Sequence, residues 1–344
     1  ITSNVLLFKS CTFSGTASFT ATGSGSSSWY GGNKFYGNAT FTNNASAGNL
    51  RLDADTSNTY YADATFGGSR ELRVCYGSDV SSFYGNITTA NNTTFNAGTG
   101  TLCLAGSGNQ TLSFGGSNFV KNLMLNKSGG SAALSTALVV SGTVTFTKGT
   151  LTTTSSNLLT INSGGTVSGA SDSSFIDGPV KKIGNSAFVF PVGKGNKLFP
   201  LSISAPSNST EAYTVESFDT SAHPNAARES SLSYVTKSYY WSVTRNSGST
   251  DVYVSLGWSR FFSQLDSSKL RIARWSGSQW LDLGNGSVMG NNAVGSVRSQ
   301  NTLSSFGTFT LAGVPNPVQP CGFPNQSDPD IYYCFDNGPA EESC

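Results

Sequence analysis

Charged side chains are scarce in this sequence. Asp, Glu, Lys and Arg together make up 11% of its 344 residues, against about 25% in ordinary soluble domains. The formal net charge is +1, which argues against nucleic acids and anionic membranes as partners, because both are bound mainly through basic surfaces. The aromatic content of 12% argues against a disordered chain. We therefore expect a β-rich extracellular protein whose surface carries hydroxyl and amide groups.

Side chains that catalyse reactions are also few. His223 is the single histidine, and the sequence contains no Gly-x-Ser-x-Gly motif, which disfavours a hydrolase triad. Phosphate-binding loops and dinucleotide-binding fingerprints are missing as well. We therefore predict that the protein is not an enzyme and binds no cofactor.

Long hydrophobic runs are missing. The longest, such as residues 137–140, are the size of a strand and fall far short of the roughly 20 residues that span a bilayer. The sequence therefore predicts no membrane-spanning segment. Its start at Ile1, with neither Met nor a signal peptide, favours a mature product that is secreted to the cell exterior.

The cysteines form no metal-binding pattern. No Cys-x-x-Cys occurs, and one histidine adds too little for a zinc site. In an oxidising compartment the six could form up to three disulfides, and buried free thiols are the alternative. These disulfide candidates are Cys11, Cys75, Cys103, Cys321, Cys334 and Cys344.

A degenerate repeat runs through the first half of the chain. It usually begins with an aromatic residue and usually ends with a phenylalanine six positions later, as in residues 13–19, 35–41, 60–66, 83–89 and 140–146. A period of 20 to 50 residues is typical of a solenoid, in which each repeat buries its apolar face against its neighbours.

A second element, Leu-x-Leu or a close variant, accompanies the repeat. It occurs at residues 5–7, 50–52, 72–74, 102–104 and 123–125. Alternation of this kind predicts short strands with aliphatic residues inward and Arg51, Arg73 and Cys103 outward. We predict that residues 1–175 form a parallel β-helix, or a closely related β-solenoid, of six to seven coils.

The composition changes after this region. Twelve of the twenty Lys and Arg residues and four of the five tryptophans lie between residues 177 and 298, among about seven strand-like runs separated by Gly, Ser and Asn. This spacing predicts an antiparallel, Ig-like β-sandwich over residues 176–313. Residues 314–344 are acidic, rich in proline and contain three cysteines, and we predict an irregular tail there. The fold class is therefore all-β.

The second region resembles a module of large secreted surface proteins of Bacteroidota. The resemblance lies in residues 178–194, 240–245, 270–275 with Trp280, and 304–311. The Asn- and Gly-rich coils before it resemble the β-solenoid arrays of such proteins. The resemblance implies export to the bacterial outer surface and an adhesive or structural role, and it implies no catalytic residues. The chain departs from the family in ending on the acidic tail.

Two groups of residues are candidate binding sites. Asp53 and Asp55 could form a calcium site or a glycosidase pair, although solvated coil corners are the favoured explanation. Aromatic residues could stack on sugar rings, and the candidates are Trp29, Tyr30, Tyr60, Tyr61, Tyr84 and Trp258. Most aromatic residues of the repeat are nevertheless expected in the core.

The N-terminus offers a candidate for self-assembly. Residues 4–10 echo residues 122–128, so the strand Val5, Leu6, Leu7 and Phe8 could complete its own first coil or add to the sheet of a neighbour. Addition at the solenoid ends would generate a head-to-tail fibre, which Cys11 and Cys344 could lock.

These patterns together predict a non-enzymatic, exported surface protein. It would act as a structural or adhesive element, with copies of itself or other surface proteins as partners, and as a fibre subunit. The alternative is a β-helix that binds glycans or processes polysaccharides.

Overall fold

The computed structural model describes residues 1–4, 7–90, 95–96, 98–115, 119–223, 226–259, 267–291 and 293–314. These residues form an all-β protein with a β-solenoid of about eight turns. The one helical element among them is the 3₁₀ turn Ser267–Lys269. No helix in these ranges is long and apolar enough to cross a bilayer. The predicted cysteine-containing tail lies, beyond Val314, outside the described residues.

Three parallel sheets build the solenoid, and each coil adds one strand to each of them. Sheet 1 contains Thr2–Ser3, Ala17–Ala21, Ala39–Asn43, Ala64–Gly68, Ile87–Thr89, Gln110–Ser113, Ala132–Leu134, Leu151–Thr152 and Ile176–Asp177. Sheet 2 contains Thr12–Phe13, Lys34–Phe35, Thr59–Tyr60, Val80–Phe83, Thr101–Gly106, Asn122–Lys127, Thr143–Lys148 and Thr166–Ser168. The parallel part of sheet 3 contains Ser27–Ser28, Leu50–Arg51, Leu72–Arg73, Phe95–Asn96, Phe119–Val120, Leu138–Val140, Leu159–Ile161 and Val180–Ile183.

The repeat produces its core by stacking like residues on like. On sheet 2 the rings of Phe13, Phe35, Tyr60 and Phe83 form one ladder, with successive centroids 5.0, 5.0 and 4.5 Å apart and nearly parallel planes. The last phenylalanine of each repeat forms a second ladder on sheet 1, where Phe41 stacks at 5.4 to 5.5 Å on the rings before and after it. The prediction that most aromatic residues of the repeat lie in the core is confirmed.

The predicted coil differs from the observed one in two respects. The structure has about eight coils rather than six to seven, and three strands per coil rather than two. The Leu-x-Leu element does not mark one sheet, because Leu50 and Leu72 lie on sheet 3 whereas Leu102 and Leu123 lie on sheet 2. Cys103, expected to point outward, is only 3% exposed.

Sheet 3 continues beyond the solenoid as an antiparallel sheet. Val180–Ile183 pairs parallel with Leu159–Ile161 on one side and antiparallel with Ala212–Phe218 on the other. The predicted boundary at residue 175/176 therefore lies just before the point where pairing changes direction within one sheet. Beyond Ala212–Phe218 this sheet adds Tyr240–Ser247, Gly307–Gly313, Leu270–Trp275, Gln279–Asp282 and Ala227–Arg228, and Tyr234–Val235 pairs with Gly307–Gly313.

A separate antiparallel sheet, sheet 4, covers part of the same core. It contains Phe188–Phe190, Leu201–Ile203, Val254–Ser259, Val294–Arg298 and Ser287–Gly290, while Gly193–Lys194 and Lys197–Leu198 form a small hairpin. The Trp241 side chain of sheet 3 donates its indole N–H to the carbonyl oxygen of Phe199 at 2.7 Å. One contiguous cluster of buried apolar residues includes members of the solenoid, of the antiparallel part of sheet 3 and of sheet 4.

Candidate functional site

Asp53 lies inside the solenoid and not on its surface. It is 2% exposed, and its carboxylate accepts hydrogen bonds from the backbone N–H groups of Cys75 at 2.8 Å and Tyr76 at 2.9 Å and from the Ser81 hydroxyl at 2.6 Å. Burial raises the pKa of Asp53 from 3.8 to about 6, against the opposing effect of these hydrogen bonds.

The predicted Asp53–Asp55 pair is therefore wrong as a calcium or glycosidase site. Asp55 is exposed while Asp53 is buried, so the two carboxylates do not share a face. Within the described ranges no group of three or more His, Cys, Asp or Glu residues could hold a metal ion. Asp53 instead fixes the backbone of the next coil.

The backbone that Asp53 holds has an unusual conformation. Cys75 has a φ of 54°, in the left-handed region that side chains other than glycine rarely adopt. Cys75 is buried, and the next residue, Tyr76, is partly exposed. Backbone strain of this kind persists where the surroundings enforce it, here through the two hydrogen bonds to Asp53.

Two arginines meet the ring of Tyr76. Arg51 and Arg73 are direct partners in neighbouring strands of sheet 3, and their guanidinium carbons lie 4.7 and 5.2 Å from the ring centroid. Glu71 accepts a hydrogen bond from Arg73 at 3.0 Å, and this bond is the main reason why the pKa of Arg73 is raised. We refer to Arg51, Glu71, Arg73 and Tyr76 as the arginine–tyrosine cluster.

Other buried charges bind backbone groups of neighbouring coils and strands. The ammonium of Lys127 donates to the carbonyl oxygens of Ala105 and Gly108 and to the side-chain oxygen of Gln110. Lys182 donates to the carbonyl oxygens of Asn162 and Gly165 at 2.8 and 2.7 Å. Burial lowers the pKa of both lysines. Sequence reasoning missed these roles, because an isolated lysine carries no signal that it points into a coil.

In the antiparallel region Glu211 has the same role. It is 2% exposed and accepts hydrogen bonds from Ser249 and Thr250. Burial opposes ionisation, but the hydrogen bonds outweigh it and hold the pKa of Glu211 below its usual value.

Three of the predicted sugar-stacking residues are buried. Trp29 and Tyr60 are 0% and Trp258 is 2% exposed, so these three predictions are wrong, because the rings pack in the core and present no face to a ligand. Tyr30 is exposed, with the Lys9 ammonium 5.5 Å from its ring centroid. It remains a candidate.

Two of the predicted sugar-stacking residues, Tyr61 and Tyr84, belong to an exposed tyrosine row whose third member, Tyr36, was missed. Tyr36, Tyr61 and Tyr84 directly follow three successive strands of sheet 2 and are 39 to 49% exposed. Their ring centroids are 4.5 and 5.1 Å apart. The second residue of the repeat carried this signal, since it is tyrosine in three copies, next to the inward-facing ring.

The cysteines of the solenoid are free thiols. Cys75 and Cys103 are buried and Cys11 is partly exposed, with no disulfide among the three. Burial raises the pKa of the Cys75 thiol well above its usual value. The structure thus shows the free-thiol alternative for these three residues. Cys321, Cys334 and Cys344 lie outside the described residues.

The predicted self-assembly strand lies partly in its own first coil. The carbonyl oxygen of Phe8 accepts a hydrogen bond from Tyr30 N–H at 3.0 Å, and its ring packs against three rings of the first coils, 4.5 Å from that of Trp29 in the closest case. Leu7 is 57% exposed. Val5 and Leu6 lie outside the described residues. Of the two roles predicted for this segment, completion of its own coil is the one seen for Phe8.

Comparison with protein-family models, with curated proteins and with solved structures found no match to this chain.

Proposed function

We propose that this protein is a non-enzymatic structural and adhesive element of a bacterial cell surface, exported as the sequence resemblance implies. Its solenoid would act as a rigid rod that displays polar and aromatic side chains at fixed spacing. Its partners would be copies of itself, other surface proteins and glycans.

This proposal rests on one observation: the buried charged side chains bind groups of the protein itself and are not directed at a ligand site. The buried polar groups of Asp53, Lys127, Lys182 and Glu211 all bind backbone or neighbouring side-chain groups of their own fold. A buried charge satisfied in this way rigidifies its surroundings and is costly to rearrange. Together with in-register aromatic ladders, this arrangement favours a mechanical role over a catalytic one.

A finer fold assignment supports the same role. We assign residues 176–313 to a β-sandwich, in which the antiparallel part of sheet 3 packs against sheet 4. The support is the burial of Trp241 on sheet 3 and of Leu201 and Leu256 on sheet 4 in one cluster. Such a module, continuous with the solenoid through sheet 3, would transmit load along the rod.

Fibre formation would use two open strand edges in place of the N-terminal strand that the sequence suggested. Thr166–Ser168 in sheet 2 and Phe188–Phe190 in sheet 4 each pair on one side only among the described strands. They border one groove with an apolar lining that includes Val167, Phe188 and Pro191. Unpaired strand edges are templates for addition of another chain.

Analytical ultracentrifugation with electron microscopy tests the fibre proposal. Val189→Lys places a charge on the open edge of Phe188–Phe190, at a side chain that is 56% exposed, and should abolish assembly. Val294→Lys is the matched control, because Val294 is 60% exposed on a strand that is paired on both sides. A wild-type protein that stays monomeric at high concentration would contradict the fibre proposal.

Glycan binding is the second candidate function, and the exposed tyrosine row favours it. Three phenol hydroxyls and ring edges at regular spacing suit a chain of sugars. On a polysaccharide array, Tyr61→Ala should reduce binding, whereas Phe119→Ala, at an exposed aromatic residue on another sheet, should not. Equal binding by both variants would argue against the tyrosine row as the site.

A further inference from the structure

The arginine–tyrosine cluster concentrates positive charge on the outer face of sheet 3. Arg51 and Arg73 are in register on neighbouring parallel strands, so their Cα atoms are about 4.8 Å apart and their side chains leave the same face. Like charges directly opposite each other repel. The ring of Tyr76, within 4.7 and 5.2 Å of the two guanidinium carbons, partly offsets this repulsion.

The position of Tyr76 is fixed from inside the solenoid. The left-handed backbone of Cys75, with a φ of 54°, immediately precedes Tyr76, and Asp53 accepts the N–H groups of both residues. Backbone strain that the surroundings hold in place clusters at functional sites. The cluster is thus built before any ligand arrives.

The charges of the cluster do not balance. Glu71 pairs with Arg73 at 3.0 Å. Among the residues that the structure describes, no carboxylate pairs with Arg51, and its Nε is buried without a hydrogen-bond acceptor. The guanidinium group of Arg51 therefore has donor capacity left for an external anion.

We propose that the arginine–tyrosine cluster binds the carboxylate or sulfate groups of an anionic polysaccharide. Guanidinium groups present planar pairs of donors that match such oxyanions. A second cation–tyrosine pair, Lys9 over Tyr30, lies at the corner where another coil leaves sheet 3. Two such pairs on one rod fit a polymer with repeating anions better than a single small ion. The inference rests on the glycan-binding candidate for the kind of partner, but it concerns a face other than the tyrosine row.

Dextran, carboxymethyl-dextran and dextran sulfate form a matched set of probes. Isothermal titration calorimetry on the full chain should show binding to an anionic polymer and little to dextran, and the better of the two anionic polymers identifies the preferred group. Arg51→Met keeps the apolar stem and should weaken that binding about tenfold or more. Glu71→Gln removes the carboxylate that competes for Arg73 and should strengthen binding of the anionic polymer. A cluster with a purely structural role would show no such gain.

Arg298→Met is the matched control, because the guanidinium carbon of Arg298 lies 4.3 Å from the Tyr253 ring. Its affinity should equal that of the wild type. Unchanged affinity in Arg51→Met overturns the inference, and if that variant does not fold, unchanged affinity in Glu71→Gln does so. Equal binding of dextran and the anionic polymers rejects the inference but keeps the glycan-binding candidate. Binding to none of the three rejects the inference, and the polysaccharide array then decides the glycan-binding candidate separately.

Discussion

Asp53 makes stability depend on pH in an unusual direction. Its folded-state pKa is about 6, against 3.8 for the free side chain. The folded protein therefore binds more protons at this site than the unfolded chain between these two values. Its contribution to stability is fully present below pH 3.8 and is lost as the pH rises through about 6. A shift of this size corresponds to about 3 kcal/mol.

Urea unfolding followed by circular dichroism checks this effect. The free energy of unfolding of the wild type minus that of Asp53→Asn should fall by about 3 kcal/mol between pH 3.5 and pH 7.5, because the asparagine does not titrate. Asp55→Asn, which removes a carboxylate from the exposed corner, is the control for net charge. Ser81→Ala removes a hydrogen bond that favours the ionised form of Asp53. The decrease in stability should therefore extend to higher pH in this variant. A difference that is constant with pH, or that grows as the pH rises, would refute the reasoning.

Three further substitutions test the interior, each by urea unfolding. Trp29→Phe should change the free energy of unfolding by less than about 1 kcal/mol, because the indole N–H that it removes is buried without a hydrogen-bond partner. Phe41→Ala leaves a gap in the aromatic ladder and should lower the free energy of unfolding by about 3 to 5 kcal/mol. Equal effects of Trp29→Phe and Phe41→Ala would contradict the packing described. Lys127→Met leaves three acceptors, two of them on buried residues, without their donor and should lower the free energy of unfolding by about 3 kcal/mol. Lys148→Met, at an exposed lysine, should stay within about 0.5 kcal/mol.

The sequence was informative where one residue type recurs at one place in the coil. Phe35, Tyr60 and Phe83 could be assigned to the core because parallel in-register stacking rewards like residues one above the other. The strands of sheet 3 were harder to find. Several are two residues long, such as Leu50–Arg51, and Leu-x-Leu occurs on sheets 2 and 3 alike, so the third strand of each coil and the coil number could not be read from it.

The candidate site was harder to predict because it depends on coil corners. There the in–out alternation of a strand breaks down, and Leu52 and Asp53 are both buried although they are neighbours. No sequence pattern marks the positive φ of Cys75. The pairing of Arg51 with Arg73 follows from register, which the Leu-x-Leu spacing already indicated. The contact of both with Tyr76 requires the corner geometry.

The distance between two distant positions on sheet 1 tests the in-register solenoid most directly. Ser18 and Ser113 are joined through Thr40, Thr65 and Thr88 by four steps of direct strand pairing, so their Cα atoms should lie about 19 Å apart. Nitroxide labels attached through unnatural amino acids at these two positions, measured by pulsed electron paramagnetic resonance, should give one narrow distribution near 20 Å. A broad distribution, or one centred beyond about 30 Å, would contradict the stacked coils on which the cluster and the proposed functions depend.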